Sequence, residues 1–497
     1  MKHKAASAMV WTGLQKYSLM FVHFVSSIIL ARLLTPYDYG CIGMLSIFMV
    51  LADTFIDSGF GSALIQKKRP TQEDYSTVFW WNMGMAVLMY AALYFSAPAI
   101  ARFYNLSELS AILRVQGLIL FVHALNAVQR NQLKKQLNFK LLSIVAISSC
   151  IFSISVTIFL AYKGFGVWAL VAQNFASAII PTTVFWFYVK WRPKILFSIQ
   201  SFKELFSFGV FMFLTYLLNR LGSKIQGLLI GKFFTPETMG YYSKGENTEK
   251  LASSTITSVV MQVTYPLYAE VQDKKAQLIN IIKRTSTTLA YLTFPILITL
   301  ILCAKPLFVI LYSEKWLASV PYFQVLCVAG LAGCLQSVNL MSITAVGRSK
   351  EMFSWTVFKR IMGITFLIVG YWLFGMKGLL VGVVLNQVFS YLVNIGLVTK
   401  YVGYKWNRQL MDIMPVAAVS FIGALVSYII GRILHLDLYF DGLVKGTVFL
   451  AIYLGWSFIF KPEAYTFFLS AIPAKFRFWE RNKTKRDSCS NGKTSNQ

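Results

Sequence analysis

The chain has 497 residues, 56% of them hydrophobic and only 13% charged, with a formal net charge of +27. So apolar a composition excludes an ordinary soluble domain, and apolar runs of about 20 residues recurring from end to end predict an all-α polytopic membrane protein rather than a membrane barrel. The positive charge fits the Lys/Arg excess of cytoplasmic loops, so membrane lipids are expected around the chain and no nucleic acid.

Lys2 and Lys4 precede the first long apolar stretch, and no small-residue cleavage site follows, which predicts an uncleaved first span. Fourteen spans are expected, at about 9–33, 39–65, 77–100, 111–134, 139–162, 166–189, 204–231, 238–268, 281–303, 318–345, 354–374, 378–400, 411–433 and 440–460. With the N-terminus inside, the inner segments hold thirty-two Lys and Arg and the outer segments nine. That bias alternates loop by loop and predicts cytoplasmic termini. Every connection is short, so no extramembrane domain is expected.

Two internal matches suggest a repeat. Arg32-Leu33-Leu34-Thr35-Pro36-Tyr37-Asp38-Tyr39-Gly40 after span one returns as Lys232-Phe233-Phe234-Thr235-Pro236-Glu237-Thr238-Met239-Gly240 after span seven. Pro ends a helix and Gly permits a tight turn, so each copy predicts a helix–turn–helix corner. Gly166-Val167-Trp168 opening span six likewise parallels Gly378-Leu379-Leu380 opening span twelve. Both matches pair span n with span n + 6, which predicts two halves of the same orientation. The expected domains are a six-helix lobe over 1–197, a second over 198–406, two further spans over 407–462 and a basic tail over 463–497, its end disordered.

Ionisable groups inside spans are costly and are therefore candidates for function. Six basic residues qualify, namely Lys16, Arg114, Arg220, Lys224, Lys244 and Lys250, against four acids, Asp53, Asp57, Glu246 and Glu249. Arg220 and Lys224 stand four apart on one helical face, so something anionic should lie opposite. Two readings stand: a cavity cation site for a phosphate group, or salt bridges to Asp53, Asp57 or Glu246. Lys16 and Arg114 are expected either to line the same cavity or, for Lys16, to snorkel to the surface. Asp53 and Asp57, also four apart, suit coupling to a proton or sodium gradient, or pairing with those cations, with Ser58-Gly59-Phe60-Gly61 as a small-residue packing set. His123 is expected to be structural, Glu246 and Lys250 to pair with each other, and the span-end aromatics (Trp80, Trp81, Trp186, Trp191) to form an interfacial belt.

The six cysteines are scattered without a C-x-x-C, so neither disulfides nor a metal site is expected. No P-loop, His-Glu-x-x-His or Gly-x-Ser-x-Gly pattern occurs, so no cofactor and no enzyme activity are expected.

Thr35-Pro36-Tyr37-Asp38-Tyr39-Gly40, Asp57-Ser58-Gly59-Phe60-Gly61, Tyr265-Pro266 and Lys315-Trp316, in that order, resemble the polysaccharide transport family of bacterial flippases, within the multidrug/oligosaccharidyl-lipid/polysaccharide exporter superfamily. The likeness runs over about residues 5–405. It implies two six-helix lobes facing each other in a V plus two added helices. It also implies flipping of a polyprenyl-diphosphate-linked oligosaccharide for O-antigen, capsule or exopolysaccharide assembly, by alternating access coupled to an ion gradient, beside polysaccharide assembly proteins. The family's basic-cavity role passes to Arg220, Lys224 and Arg114. A drug/cation antiporter of the same superfamily, and a membrane polysaccharide polymerase or ligase, are the competing readings.

Overall fold

The structure, a computed structural model, describes residues 2–466, so the tail end expected to be disordered lies outside the described residues. All regular structure among the described residues is helical: α1 (Lys2–Leu33), α2 (Pro36–Asp57), α3 (Phe60–Gln66), α4 (Gln72–Phe103), α5 (Glu108–Gly117), α6 (Ile119–Lys135), α7 (Phe139–Tyr162), α8 (Val167–Tyr188), α9 (Ile199–Phe233), α10 (Pro236–Glu270), α11 (Lys275–Leu302), α12 (Ala304–Tyr312), a 3-10 turn (Glu314–Ser319), α13 (Val320–Ala345), α14 (Ser349–Tyr401), α15 (Trp406–Leu434) and α16 (Leu438–Phe460).

Local sequence starts and stops these helices. Thr35 caps α2: its hydroxyl accepts from the Asp38 N–H at 3.4 Å, and the Asp38 carboxylate accepts from the Thr35 N–H at 2.8 Å, with Pro36 opening the first turn. Thr71 and Asp74 repeat that box at α4. At 53 residues α14 would be about 80 Å long, far more than a bilayer core. It reverses at Phe374 and Gly375, whose φ/ψ are −139°/21° and 57°/−132°. Beyond that reversal the backbones of Gly370 and Gly378 touch, as do those of Phe366 and Gly382, which makes α14 a helical hairpin.

Eleven helices among the described residues are long and apolar enough to cross a membrane, with α14 counted once, and α9, bent between Ser207 and Met212, makes a twelfth. α10, the span expected to be least apolar, is a continuous helix outside that set. Fourteen crossings are compatible with this arrangement.

The chain forms two compact units. Among the described residues the first comprises 2–251, 305–326 and 353–386. At one end of it the two Thr-Pro corners pack against each other. A Cβ at Gly40 would fall 1.8 Å from the Pro236 carbonyl oxygen, and one at Gly240 would fall 1.9 Å from that of Pro36. Only glycine permits so close a crossing of α2 and α10, and the contact is reciprocal, as a 200-residue repeat requires. The second sequence match needs a shift: Gly166 (φ 52°, ψ −127°) has its backbone twin in Gly375, not in Gly378.

At the other end of the first unit, Phe60, Phe79 and Val128 are buried among Trp81, Trp186, Trp191 and Phe202. Trp186 donates its indole N–H to the Leu125 carbonyl at 3.0 Å, and Trp80 donates to that of Lys194 at 2.8 Å. These tryptophans tie helices together instead of forming only the expected belt.

Among the described residues the second unit comprises 252–304, 327–352 and 387–466. Its core gathers Leu278, Ile282 and Leu289 of α11 with Val338 of α13 and Val398 of α14. The last two helices pack onto α11: Tyr453 donates to the Tyr291 carbonyl at 2.9 Å, and the Tyr291 hydroxyl bonds Ser457 at 3.0 Å. Asp412 of α15 pairs with Lys283 at 3.1 Å and accepts from the Tyr404 hydroxyl. Burial and then that hydrogen bond raise the Tyr404 phenol above the ordinary tyrosine pKa.

Candidate functional site

The site is built around a helix break. α2 stops at Asp57 because Ser58 and Gly59 take left-handed φ angles of 44° and 77°, and the chain restarts as α3 at Phe60. The Ser-Gly-x-Gly stretch, expected as packing inside a continuous span, is therefore a corner. It does pack closely as well: a Cβ at Gly59 would fall 2.1 Å from the Gly209 carbonyl oxygen of α9. The break leaves the Asp57 carboxylate at a helix end, where it accepts from the Gly61 N–H. Gly61 lets Asp57 and Asn131 converge, since a Cβ there would stand 2.9 Å from both side chains.

α6 runs alongside α2 and supplies the rest. His123 Nδ1 is 2.8 Å from Asp53 Oδ1, one turn before Asp57, so Asp53 is partnered by histidine and not by a span lysine or arginine. Arg130 and Lys134 are the cations whose charge acts on Asp57. α9 closes the third side with Tyr216 and Arg220. Apart from His123, these groups line a cavity of about 360 Å3 together with Ser62. The Tyr216 hydroxyl lies 3.5 Å from Ser62 Oγ.

The charges do not cancel. Three cations, Arg130, Lys134 and Arg220, face two carboxylates, one of them engaged with His123. Neither Arg220 nor Lys224 closes an ion pair among the described residues. Lys224, one turn beyond Arg220, is within electrostatic reach of Glu246, Lys250 and Arg220. Glu246 and Lys250 bond each other at 2.5 Å, as their i, i + 4 spacing predicts. A concave site with unpaired guanidinium and ammonium groups suits a phosphate, which accepts several charge-assisted hydrogen bonds at once. Beside this end, Lys67 joins Asp74 at 3.0 Å and Glu204 at 2.9 Å, tying the α3–α4 connection to α9. Burial opposes the Lys67 charge, but the bonds to Glu204 and Asp74 outweigh it and raise the pKa above the ordinary lysine value.

Residues 29–321 match the family described as Polysaccharide biosynthesis protein. The chain belongs to that family. Among its relatives, the teichuronic acid biosynthesis protein TuaB of Bacillus subtilis is 29% identical over 69% of this chain and 72% of its own length. The lipopolysaccharide biosynthesis protein WzxC of Escherichia coli is 22% identical over 87% of this chain and 89% of its own. The succinoglycan biosynthesis transport protein ExoT of Rhizobium meliloti is 23% identical over 71% of each chain. Of solved structures, the lipid II flippase MurJ in an inward closed conformation superimposes with a TM-score of 0.73 at 15% identity, covering 91% of this chain and 98% of its own. An inward-facing multidrug resistance MATE transporter gives 0.59 at 16% identity, over 83% and 99% of the two chains. These likenesses show that the polysaccharide biosynthesis family member described here has the MurJ/MATE transporter fold.

Of the six site residues expected from sequence, Arg220, Asp53 and Asp57 share the cavity, and Lys224, one turn beyond Arg220 on α9, is not among its lining residues. Arg114 and Lys16 are not among its lining residues. Arg114 lies over the Tyr94 ring at 4.4 Å and donates to the Tyr94 carbonyl at 3.3 Å. Lys16 is exposed on α1. Arg130, Asn131 and Lys134 were not anticipated, because Arg130 and Lys134 count among the inner basic residues of the loop bias. Their spacing of four on one helix, the pattern that singles out Arg220 and Lys224, was the available signal. The family motif residues Tyr265 and Pro266 fall within α10, and their side chains lie outside those described.

Proposed function

We propose that this protein carries a polyprenyl-diphosphate-linked oligosaccharide across the bacterial inner membrane for cell-surface polysaccharide synthesis. The observation that carries this reading is the cavity at the α2–α3 break, whose unpaired Arg220, Arg130 and Lys134 match a diphosphate. The family, the relatives whose names include a succinoglycan transport protein, and the transporter fold support it. They support transport without bond-making chemistry, and the short connections leave no catalytic domain.

In this reading the diphosphate is held by Arg220, Arg130 and Lys134, with Lys224 receiving it deeper along α9. The glycan follows through the polar cavity while the lipid stays in the bilayer. Both termini are cytoplasmic, so the Arg130/Lys134 end faces the cytoplasm, where the lipid-linked substrate is made, and the Thr-Pro corners face outward. The Lys/Arg distribution supports this orientation. The lobes over 1–197 and 198–406 rock to alternate access, and Asp57, with Asp53, carries the coupling cation. A drug/cation antiporter would need a cavity with surplus acid, and this one has surplus base.

The test uses proteoliposomes loaded with a lipid-linked oligosaccharide and an impermeant glycan-binding probe on one side. Time-dependent movement of the glycan that falls on Arg220→Ala is expected. No movement, with intact efflux of a cationic dye, would overturn the reading in favour of the antiporter. Elongated or transferred glycan would overturn it in favour of a polymerase or ligase. For coupling, Asp57→Asn should weaken the dependence on an imposed ion gradient, and unchanged dependence would remove Asp57 from that role.

A further inference from the structure

The end of the first unit that carries the two corners holds four cations, and none of them is used by the cavity. Arg32, at the end of α1, donates to the carbonyls of Ile310 at 2.5 Å and Leu311 at 3.3 Å, the last of α12. Lys315, in the 3-10 turn after α12, donates back to the carbonyls of Arg32 at 2.8 Å and Leu34 at 2.7 Å, at and just beyond the end of α1. Two helices thus cap each other's C-termini with side chains of the sign their dipoles favour. Trp316, fully buried, adds its indole N–H to the Ala31 carbonyl at 2.7 Å.

Inside this ring sits Lys244 of α10, only 3% exposed. It donates to the Ser27 carbonyl at 2.9 Å and the Ser27 hydroxyl at 3.0 Å. Its ammonium lies 3.9 Å from the centre of the Tyr312 ring, 5.3 Å from that of Tyr39 and 5.4 Å from that of Trp316. A single buried cation therefore touches α1, α2, α12 and the 3-10 turn.

The repeat supplies a control within the same molecule. Lys232, the counterpart of Arg32, caps α4 through the Phe103 carbonyl at 2.7 Å. So each corner caps a helix end of the opposite half, the short α12 that follows the third span in one case and the third span itself, α4, in the other. The counterpart of Lys244, 200 residues earlier, is Met44, an apolar side chain beneath Tyr104. One joint has the apolar Met44 at its centre and a single cation, Lys232, at its edge. The other is closed by cations on carbonyls, and at the rim, where Arg32 and Lys315 are exposed, water can replace those bonds when the helices part. A joint built to stay shut needs no such replaceable bonds.

We infer that Arg32, Lys244, Lys315 and Trp316 form a latch that holds the corner end of the first unit closed and releases during transport. What passes the latch rests on the proposed flippase reading; its opening does not. The corner end is sealed while the latch is engaged. Cys41, fully buried on α2 just inside the first corner, is a native reporter of that seal.

The test uses the full chain with Cys41 as its only cysteine, in membrane vesicles, and an impermeant maleimide. Labelling should be slow in this background and at least tenfold faster with Arg32→Met and Lys315→Met together. Lys67→Met, which breaks a clamp away from the corners, should leave the rate unchanged. Unchanged labelling in the double variant, or equal acceleration by Lys67→Met, would overturn the inference. A second arm joins Arg32→Cys to Lys315→Cys, both at exposed positions, with a bis-methanethiosulfonate cross-linker, which forms a disulfide with each thiol by displacing sulfinate and is cleaved by a reductant. Glycolipid movement should stop on joining and return on cleavage, and movement that continues in the joined protein would also overturn the latch. If the protein moves no glycolipid at all, the flippase reading fails, and the Cys41 labelling still decides the latch.

Discussion

The two ends of the first unit use the same residue types for opposite purposes. At the corner end, Arg32, Lys232, Lys244 and Lys315 all donate to backbone carbonyls, and Lys244 is further enclosed by aromatic rings. At the cavity end, Arg220 has no ion pair among the described residues, and Arg130 and Lys134 share the charge of Asp57. A cation inside a span is thus no pointer to substrate until its hydrogen-bond partners are known. Where the backbone offers spare carbonyls, a buried lysine is a structural part. Where the wall is made of closed helix sides, the charge stays available to a ligand.

The contrast can be broken by substitution, because corner changes should act on stability and cavity changes on transport. The largest effect is expected from Gly240→Val, which drives a side chain into the Pro36 backbone and should cost about 3 kcal/mol. Thermal unfolding in detergent measures this, and a wild-type Tm would refute the close crossing. Arg220→Ala should instead slow glycolipid transport by about 10- to 100-fold, the worth of one charge-assisted hydrogen bond, with stability within about 0.5 kcal/mol of the parent. An equal loss of stability and transport would erase the distinction between the ends.

Lys244→Met makes the second corner resemble the first. It should cost about 1–2 kcal/mol, since the Ser27 carbonyl and hydroxyl lose their buried donor. A stabilised variant would mean that the aromatic cage suits a thioether better than an ammonium. The finest comparison lies between the two caps. Asp38→Ala removes one arm of a complete capping box and should cost about 1 kcal/mol. Thr238, at the matching position, offers no carboxylate to the Thr235 N–H, and Thr238→Ala should cost about half as much. Parallel denaturant titrations would show the order, and its reversal would refute the cap asymmetry.

Much of this was readable beforehand. The Thr-Pro corners, the helical spans and the Glu246–Lys250 pair follow from helix-breaking chemistry and from spacings of four. Other features were not. Arg114 is an in-span cation like Arg220, yet it lies against Tyr94. Arg130 and Lys134 were hidden by their place at a span end, where basic residues are expected in any case. The break at Ser58-Gly59 was hidden because small residues serve equally well for helix packing and for left-handed turns.

By itself, then, the sequence determined the class of protein, the helical segments and the existence of a repeat. Each of these depends on local chemistry: apolar run length, proline without a donor, glycine without a side chain. Only the tertiary structure decided which charges are spent on backbone carbonyls and which remain for a substrate. That choice depends on groups 70 to 280 residues apart in sequence, such as His123 with Asp53 or Arg32 with Leu311. The identity of a cation does not encode the distance to its partner, and only packing sets it.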